Sequence, residues 1–237
     1  MCGRYYRRSD KQRIADAFEL GTLPDDFVLP DWDYNVAPAT FQPVIRDRKD
    51  SAERELVLMR WGLVPFFTKQ LVDVKGLSTI NAKAESVAAG ATWRAPFQKR
   101  RCLVPADGFY EWQKLDPKSR QPFAFQMADG HPFAFAGLWD AWKDPTGGWL
   151  LSFSIITTRA NKLMSPVHDR MPVILHPRDY ARWLRRDLEG PEELLRPFDS
   201  DMMQSWAVTK DVGNVRNNGP ELLKPPQERD SPGLFSN

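Results

Sequence analysis

Between Gln42 and Thr157 the chain consists largely of short runs of β-branched and aromatic residues, each closed by a turn signal. The runs are Gln42–Asp47, Glu55–Trp61, Cys102–Val104, Gly108–Gln113, Gln121–Met127, Pro132–Trp139 and Trp149–Thr157. Asp107-Gly108, Asp129-Gly130 and Pro145-Thr146-Gly147-Gly148 punctuate them. Many short strands bury their apolar side chains by curving one sheet, so the pattern predicts an α+β fold with a mostly antiparallel, barrel-like sheet and peripheral helices. Helices are expected over Ser9–Leu20, Ala82–Ala89, Arg159–Met164, Pro177–Leu188 and Pro191–Leu195. In the first, Ser9 and Gln12 have capping-box spacing, and Ile14 and Phe18 share a face. Gly21–Asp33, rich in Pro and Asp, reads as a connection, and Asn35-Val36-Ala37-Pro38 as extended chain.

The 237 residues are enough for a sizeable core, and neither an internal repeat nor a Ser/Gly linker divides them. Residues 1–224 are read as one domain and the polar, Pro-rich residues 225–237 as a flexible tail. No apolar stretch reaches the length of a membrane span, and no charged-then-apolar leader opens the chain. Two cysteines, Cys2 and Cys102, make neither a disulfide framework nor a four-cysteine zinc site. His131, His168 and His176 lie too far apart for metal-ligand spacing; His131 and His176 read as surface residues. The expectation is a cytoplasmic monomer without metal, cofactor or membrane association. A net charge of +2 makes no global demand for nucleic acid. Two local groups, one of Arg4, Arg7, Arg8, Lys11 and Arg13 and one of Arg94, Lys99, Arg100 and Arg101, suit either phosphate contact or ordinary solvated faces.

Three positions carry chemistry. Removal of Met1 would leave Cys2 with an α-amine and a thiol, whose ordinary pKa values of about 7.7–8.0 and 8.5 leave both partly deprotonated near neutrality. An amine condenses with an aldehyde to a Schiff base, and a neighbouring thiolate closes on the imine carbon to form a thiazolidine. That closure is intramolecular and therefore has a high effective molarity. Glu111 stands among aromatics in Phe109-Tyr110-Glu111-Trp112, where it is either a desolvated acid/base group or a solvent-facing strand residue. His168 lies in a loop beside Asp169 and Arg170, a reasonable setting for a catalytic imidazole. Cys102 reads as a small core residue. Taken singly, these residues leave the function open.

Their order along the chain says more. Met1-Cys2-Gly3-Arg4-Tyr5, Tyr34-Asn35-Val36-Ala37-Pro38, Trp61-Gly62-Leu63-Val64-Pro65, Ile80-Asn81-Ala82-Lys83-Ala84-Glu85-Ser86, Arg101-Cys102 to Trp112, and His168-Asp169-Arg170-Met171-Pro172 occur in succession. Val215-Arg216-Asn217-Asn218-Gly219-Pro220-Glu221 follows them. The set closely resembles the SOS-response-associated peptidase (SRAP) family over nearly the whole chain. The resemblance implies an enzyme that senses abasic sites in single-stranded DNA and shields them as a covalent thiazolidine crosslink at Cys2. Such a protein would be nucleoid-associated when bound to DNA. Autopeptidase release of Met1 and AP-lyase-like chemistry are accompanying activities on this reading.

With the resemblance, Asn81 would orient the aldehyde or the opened sugar, Glu111 would transfer protons at amine and imine and in crosslink reversal, and His168 would assist sugar-ring opening or protonate its hydroxyl. Arg4 and Lys83 would meet phosphates, while Trp61, Phe66, Phe67 and Trp112 would offer apolar faces to the nucleotides. Arginine is common in the family where this chain has Lys83, and lysine lacks the bidentate fork. Tryptophan is frequent where it has Phe66-Phe67. The alternative is a thiol peptidase using Cys2 or Cys102 with His168, oriented by Asn81, or one whose sole substrate is its own Met1. A non-catalytic single-strand binder, with Cys2 incidental, is the other class.

Overall fold

The computed structural model describes residues 2–21, 23, 27–30, 32–48, 53–71, 79–187 and 190–226. All but the first two residues of the expected tail therefore lie outside the described residues. The strands are Arg4–Arg7 (β1), Asp33–Val36 (β2), Phe41–Asp47 (β3), Arg54–Trp61 (β4), Asn81–Lys83 (β5), Arg101–Ala106 (β6) and Gly108–Lys114 (β7). Arg120–Met127 (β8), Phe133–Lys143 (β9), Trp149–Arg159 (β10), Arg170–Pro172 (β11), Ile174–Leu175 (β12) and Met203–Ala207 (β13) complete them. The α-helices are Lys11–Ala17 (α1), Arg94–Lys99 (α2) and Tyr180–Leu184 (α3).

Two sheets divide the strands. One is antiparallel throughout, in the order β13-β8-β7-β1-β2. The other follows β10-β4-β3-β6-β9 and closes on itself, because β9 also pairs along β10. Closure removes exposed edges from that circuit and gives the expected barrel-like form. The strand runs read from the sequence all reappear, each lengthened by a residue or more. The main core lies between the sheets, where Tyr5, Trp61, Phe109, Phe125, Phe135 and Phe153 are fully buried. Gly108 is required at the turn into β7: a Cβ there would meet the Tyr6 ring at 2.2 Å.

The helix expectations need correction. Asp10, not Ser9, caps α1 by accepting from Arg13 N, while Ser9 is buried and donates to Asp107 at 2.7 Å. Ile14 and Phe18 are both buried, as their spacing implied. Residues 82–89 form a strand and turns rather than a helix, since β5 pairs parallel with β10 and Ala84 N donates to Thr157 O. The stretch over Arg159–Met164 is the end of β10 followed by turns, with Asn161 Oδ1 accepting from Met164 N. Pro177–Asp179 is a 3-10 turn leading into α3, and Pro191–Leu194 is another 3-10 turn. Among the described residues, no helix is long and apolar enough to cross a membrane.

The basic groups also differ from a solvated face. Arg7 is buried and donates to the carbonyls of Ser9 and Pro30. Arg101, equally buried, donates to the carbonyls of Phe97, Gln98, Trp183 and Arg185. Arg8 pairs with Asp107 and Arg100 with Asp140. Much of the clustered charge thus fastens chain segments together.

Candidate functional site

Cys2 lies just ahead of β1, which is held antiparallel on both sides by β2 and β7. The register Arg4↔Tyr110 and Tyr5↔Phe109, extended outward, sets Gly3 opposite Glu111. Cys2 is 1 % exposed and packs in the main core. Burial pushes its thiol well above the ordinary range, and the Glu111 charge adds to that effect. The thiol is therefore protonated where it stands.

Asn81 opens β5, directly beside Ile155 of β10. Its Nδ2 donates to the Cys2 carbonyl oxygen at 2.8 Å, a bond that is buried. The indole N–H of Trp61 donates to the carbonyl of the preceding residue, Ile80, at 3.0 Å.

Glu111 is buried, although simple alternation would have allowed it to face water. Strand β7 is covered on both faces: Phe109 faces the main core, and Tyr110 faces a second cluster with Tyr6 and Val212. Desolvation raises the Glu111 carboxyl from 4.5 to about 7. Its Oε1 lies 3.4 Å from His168 Nε2. The half-buried His168 is shifted below 6.5 by desolvation, which favours the neutral ring.

Two groups approach His168 Nδ1: the Arg170 backbone N–H donates to it at 3.0 Å, and exposed Asp169 Oδ1 lies at 2.9 Å. The backbone amide can only donate and so selects the neutral ring with its proton on Nε2, toward Glu111, whereas the exposed Asp169 carboxylate pulls toward a charged ring. Arg170 was named in the sequence motif without a role, yet it organises this loop. It binds Glu85 bidentately at 2.7 and 3.0 Å and donates to Thr157 O at 2.6 Å. Gln113, one alternation beyond Glu111, donates to Pro166 O at 3.0 Å and ties β7 to the same loop.

The structure thus brings Cys2, Asn81, Glu111 and His168 around the start of β1. The residues expected at nucleic acid divide differently. Lys83 is exposed at the end of β5, Phe66 and Phe67 are 59 % and 55 % exposed, and Trp112 is half-buried. Trp61 offers no face to a nucleotide: it is 0 % exposed, edge-on to Tyr5 at 5.3 Å and stacked on Phe153 at 6.3 Å. Its aromatic bulk fills the core behind Asn81. Arg4 is committed inward, donating to Asn35 Oδ1 at 2.6 Å, Val212 O at 2.9 Å and Gly213 O at 3.3 Å.

Cys102 is fully buried, as a core residue should be. His176 corrects the surface reading, since it is half-buried with its ring 4.4 Å from that of Phe198. No group of three or more metal-ligating side chains occurs among the described residues.

The fold, with its closed sheet circuit, thus carries a sealed cysteine at position 2 within electrostatic reach of Glu111, which stands beside His168. The chain belongs to the SOS response associated peptidase (SRAP) family, whose model matches residues 1–215. It is 38 % identical over 228 residues to the abasic site processing protein YoqW of Bacillus subtilis, covering 94 % of this chain and 99 % of that one. It is 30 % identical over 270 residues to the abasic site processing protein HMCES of Mus musculus, covering 95 % and 76 % respectively. A crystal structure of a Bacteroides thetaiotaomicron protein superposes with a TM-score of 0.84 at 27 % identity, over 95 % of this chain and all of that one. A Bordetella bronchiseptica protein gives 0.75 at 28 % identity, over 88 % of this chain.

Proposed function

We propose that this chain processes abasic sites in DNA, capturing the sugar aldehyde covalently at Cys2 once Met1 has been hydrolysed away. The observation that carries this reading is the placement of Cys2. Its carbonyl is held by Asn81 at 2.8 Å, and its thiol is sealed within the electrostatic reach of Glu111.

The Cys2 amine attacks the aldehyde carbon of the ring-opened sugar, forming a C–N bond while the carbonyl oxygen takes a proton. Loss of that oxygen as water gives the imine. Sγ then adds to the imine carbon, and the thiol proton passes to nitrogen. The net reaction is aldehyde plus aminothiol to thiazolidine plus water.

A group titrating at about 7 is suited to take a proton from the ammonium and return it to the departing hydroxyl, which is the role of Glu111. The Nε2–H of His168 orients that carboxylate and serves ring opening of the sugar. Because the thiol is raised by burial, it stays protonated until the imine carbon is presented. This also argues against a peptidase that works by a resting thiolate–imidazole pair, since both nitrogens of His168 are engaged elsewhere.

Lys83 supplies phosphate contact, and Phe66, Phe67 and Trp112 supply stacking surfaces for a single strand. Arg4 acts instead as a brace for the Cys2 strand. Residues 1–224 work as one unit on this reading, as a monomer that joins the nucleoid when DNA is bound.

Intact-protein mass spectrometry with a single-stranded oligonucleotide carrying one abasic site tests the proposal. The expected result is a chain lacking Met1 and a denaturation-resistant adduct mapped to residue 2. A chain lacking Met1 that forms no adduct would overturn it.

A further inference from the structure

Gly62, with φ at +111°, turns the chain out of β4, and the following segment carries the two exposed phenylalanines. Its backbone is fastened at alternate residues by side chains from the β9–β10 hairpin. Ser152 Oγ accepts from Val64 N at 2.8 Å, Asp140 Oδ2 accepts from Phe66 N at 3.1 Å, and Trp142 Nε1 donates to Thr68 O at 2.7 Å. These three groups share one side of the hairpin. Ser152 and Asp140 are direct cross-strand partners, and Trp142 is one alternation beyond Asp140. Ser152 is 0 % exposed and Asp140 2 %. The carboxylate is further engaged by Ala141 N at 2.8 Å and Arg100 Nε at 3.2 Å.

Such an arrangement is unusual for what it supports. Phe66 and Phe67 stand edge-to-face at 5.4 Å and remain largely in water, where apolar side chains gain by folding back onto the surface. A backbone fixed at residues 64, 66 and 68 limits that collapse. The same segment adjoins the site, because Leu63 N donates to Thr79 O two residues before Asn81.

We infer that Asp140, Ser152 and Trp142 are positioning residues that hold Phe66 and Phe67 as a preformed stacking surface for unpaired bases beside the abasic nucleotide. The inference rests on the abasic-site reading above. It goes further by assigning the surface's rigidity to three residues that touch no DNA. A preorganised surface avoids the ordering cost of binding, so loss of the mooring weakens affinity without altering chemistry after binding.

The test combines amide hydrogen exchange with adduct kinetics on a single-stranded oligonucleotide bearing one abasic site. In Asp140→Ala, exchange at Phe66 accelerates in the free protein while the β9 and β10 amides keep their protection. The half-saturating DNA concentration rises about tenfold, within the range for loss of base stacking, and the limiting adduct rate is unchanged. Phe66→Ala/Phe67→Ala raises the half-saturating DNA concentration by as much, and adding Asp140→Ala to it raises it no further. Ser152→Ala, which removes no charge, reproduces the change on a smaller scale and guards against misfolding of the Asp140 variant.

Unchanged DNA affinity in both mooring variants, with the phenylalanine pair still required, overturns the inference while leaving the function standing. Additive losses do the same. A wild-type protein that neither binds nor crosslinks the oligonucleotide removes the functional reading and the proposed ligand together, whatever the exchange data report.

Discussion

The Asn81 Nδ2 amide lies 2.8 Å from the carbonyl oxygen of Cys2, joining β5 to the residue ahead of β1 by a buried hydrogen bond. That bond sets where the Cys2 backbone stands, and hence where its amine emerges. Replacing Asn81 by Ala leaves the carbonyl without this donor and lets the backbone shift. Adduct formation should slow by about tenfold to a hundredfold, the usual cost of misplacing a reacting group by about 1 Å. Single-turnover kinetics would measure it, and a wild-type rate would remove Asn81 from the site.

Glu111 makes a pH prediction with a definite sign. Its folded pKa of about 7 lies above the ordinary 4.5, so folded protein keeps a proton that the unfolded chain releases between these values. The resulting stability is full below pH 4.5 and is lost as pH rises through 7. Glu111→Gln abolishes this titration, so the variant should gain on the wild type above pH 7 by on the order of 2–3 kcal/mol. The same substitution should flatten the inflection near pH 7 in the adduct rate. Denaturant melts at pH 5 and pH 8 check the first point, and rate profiles check the second.

For His168, nitrogen NMR of labelled protein at pH 7 should report a neutral ring with the proton on Nε2, and titration below 6.5. A ring charged at pH 7, or one protonated at Nδ1, contradicts the hydrogen bond from Arg170 N.

Cys2→Ala retains an α-amine but no thiol. It should form no denaturation-resistant thiazolidine, yet borohydride should trap a Schiff base with an abasic oligonucleotide. An undiminished stable adduct without reductant would dismiss ring closure by Sγ.

Trp61 and Trp112 should separate cleanly. Trp61→Ala empties a fully buried core position and should cost about 3–5 kcal/mol of stability. Trp112→Ala, at a half-buried position, should cost less and act more on DNA affinity than on melting. Equal destabilisation by the two would contradict this division.

The strands were legible because each is a short run of β-branched or aromatic residues between turn signals. Those missed have a common cause. Strand β5 reads as Ala-rich helix, and only its parallel pairing with Ile155–Thr157 of β10 makes it extended, a partner far away in sequence. Strand β1, Arg-Tyr-Tyr-Arg, reads as a basic surface because nothing local reveals that Arg7 is satisfied by carbonyls inside the fold.

At the site, Cys2, Asn81, Glu111 and His168 were assembled through resemblance, since they lie far apart in sequence and make no compact motif. The burial of Glu111 was beyond alternation, because β7 is covered on both faces. Trp61 was placed at nucleic acid for its aromatic face, but burial took that face into the core. The mooring by Asp140 and Ser152 was illegible, as a polar residue in a strand does not announce which backbone it will meet.

Strand β10 touches β9, β4, β5 and β11, and so gathers segments that precede and follow it in the sequence. During translation Cys2 is made well before Glu111, β10 and His168. On the proposed reading, the Cys2 amine therefore waits for its acid and imidazole until those later segments are made. Pairings between such distant segments form slowly. The topology thus acts as a timer: on the proposed reading, the site is complete only once the chain has been made past His168.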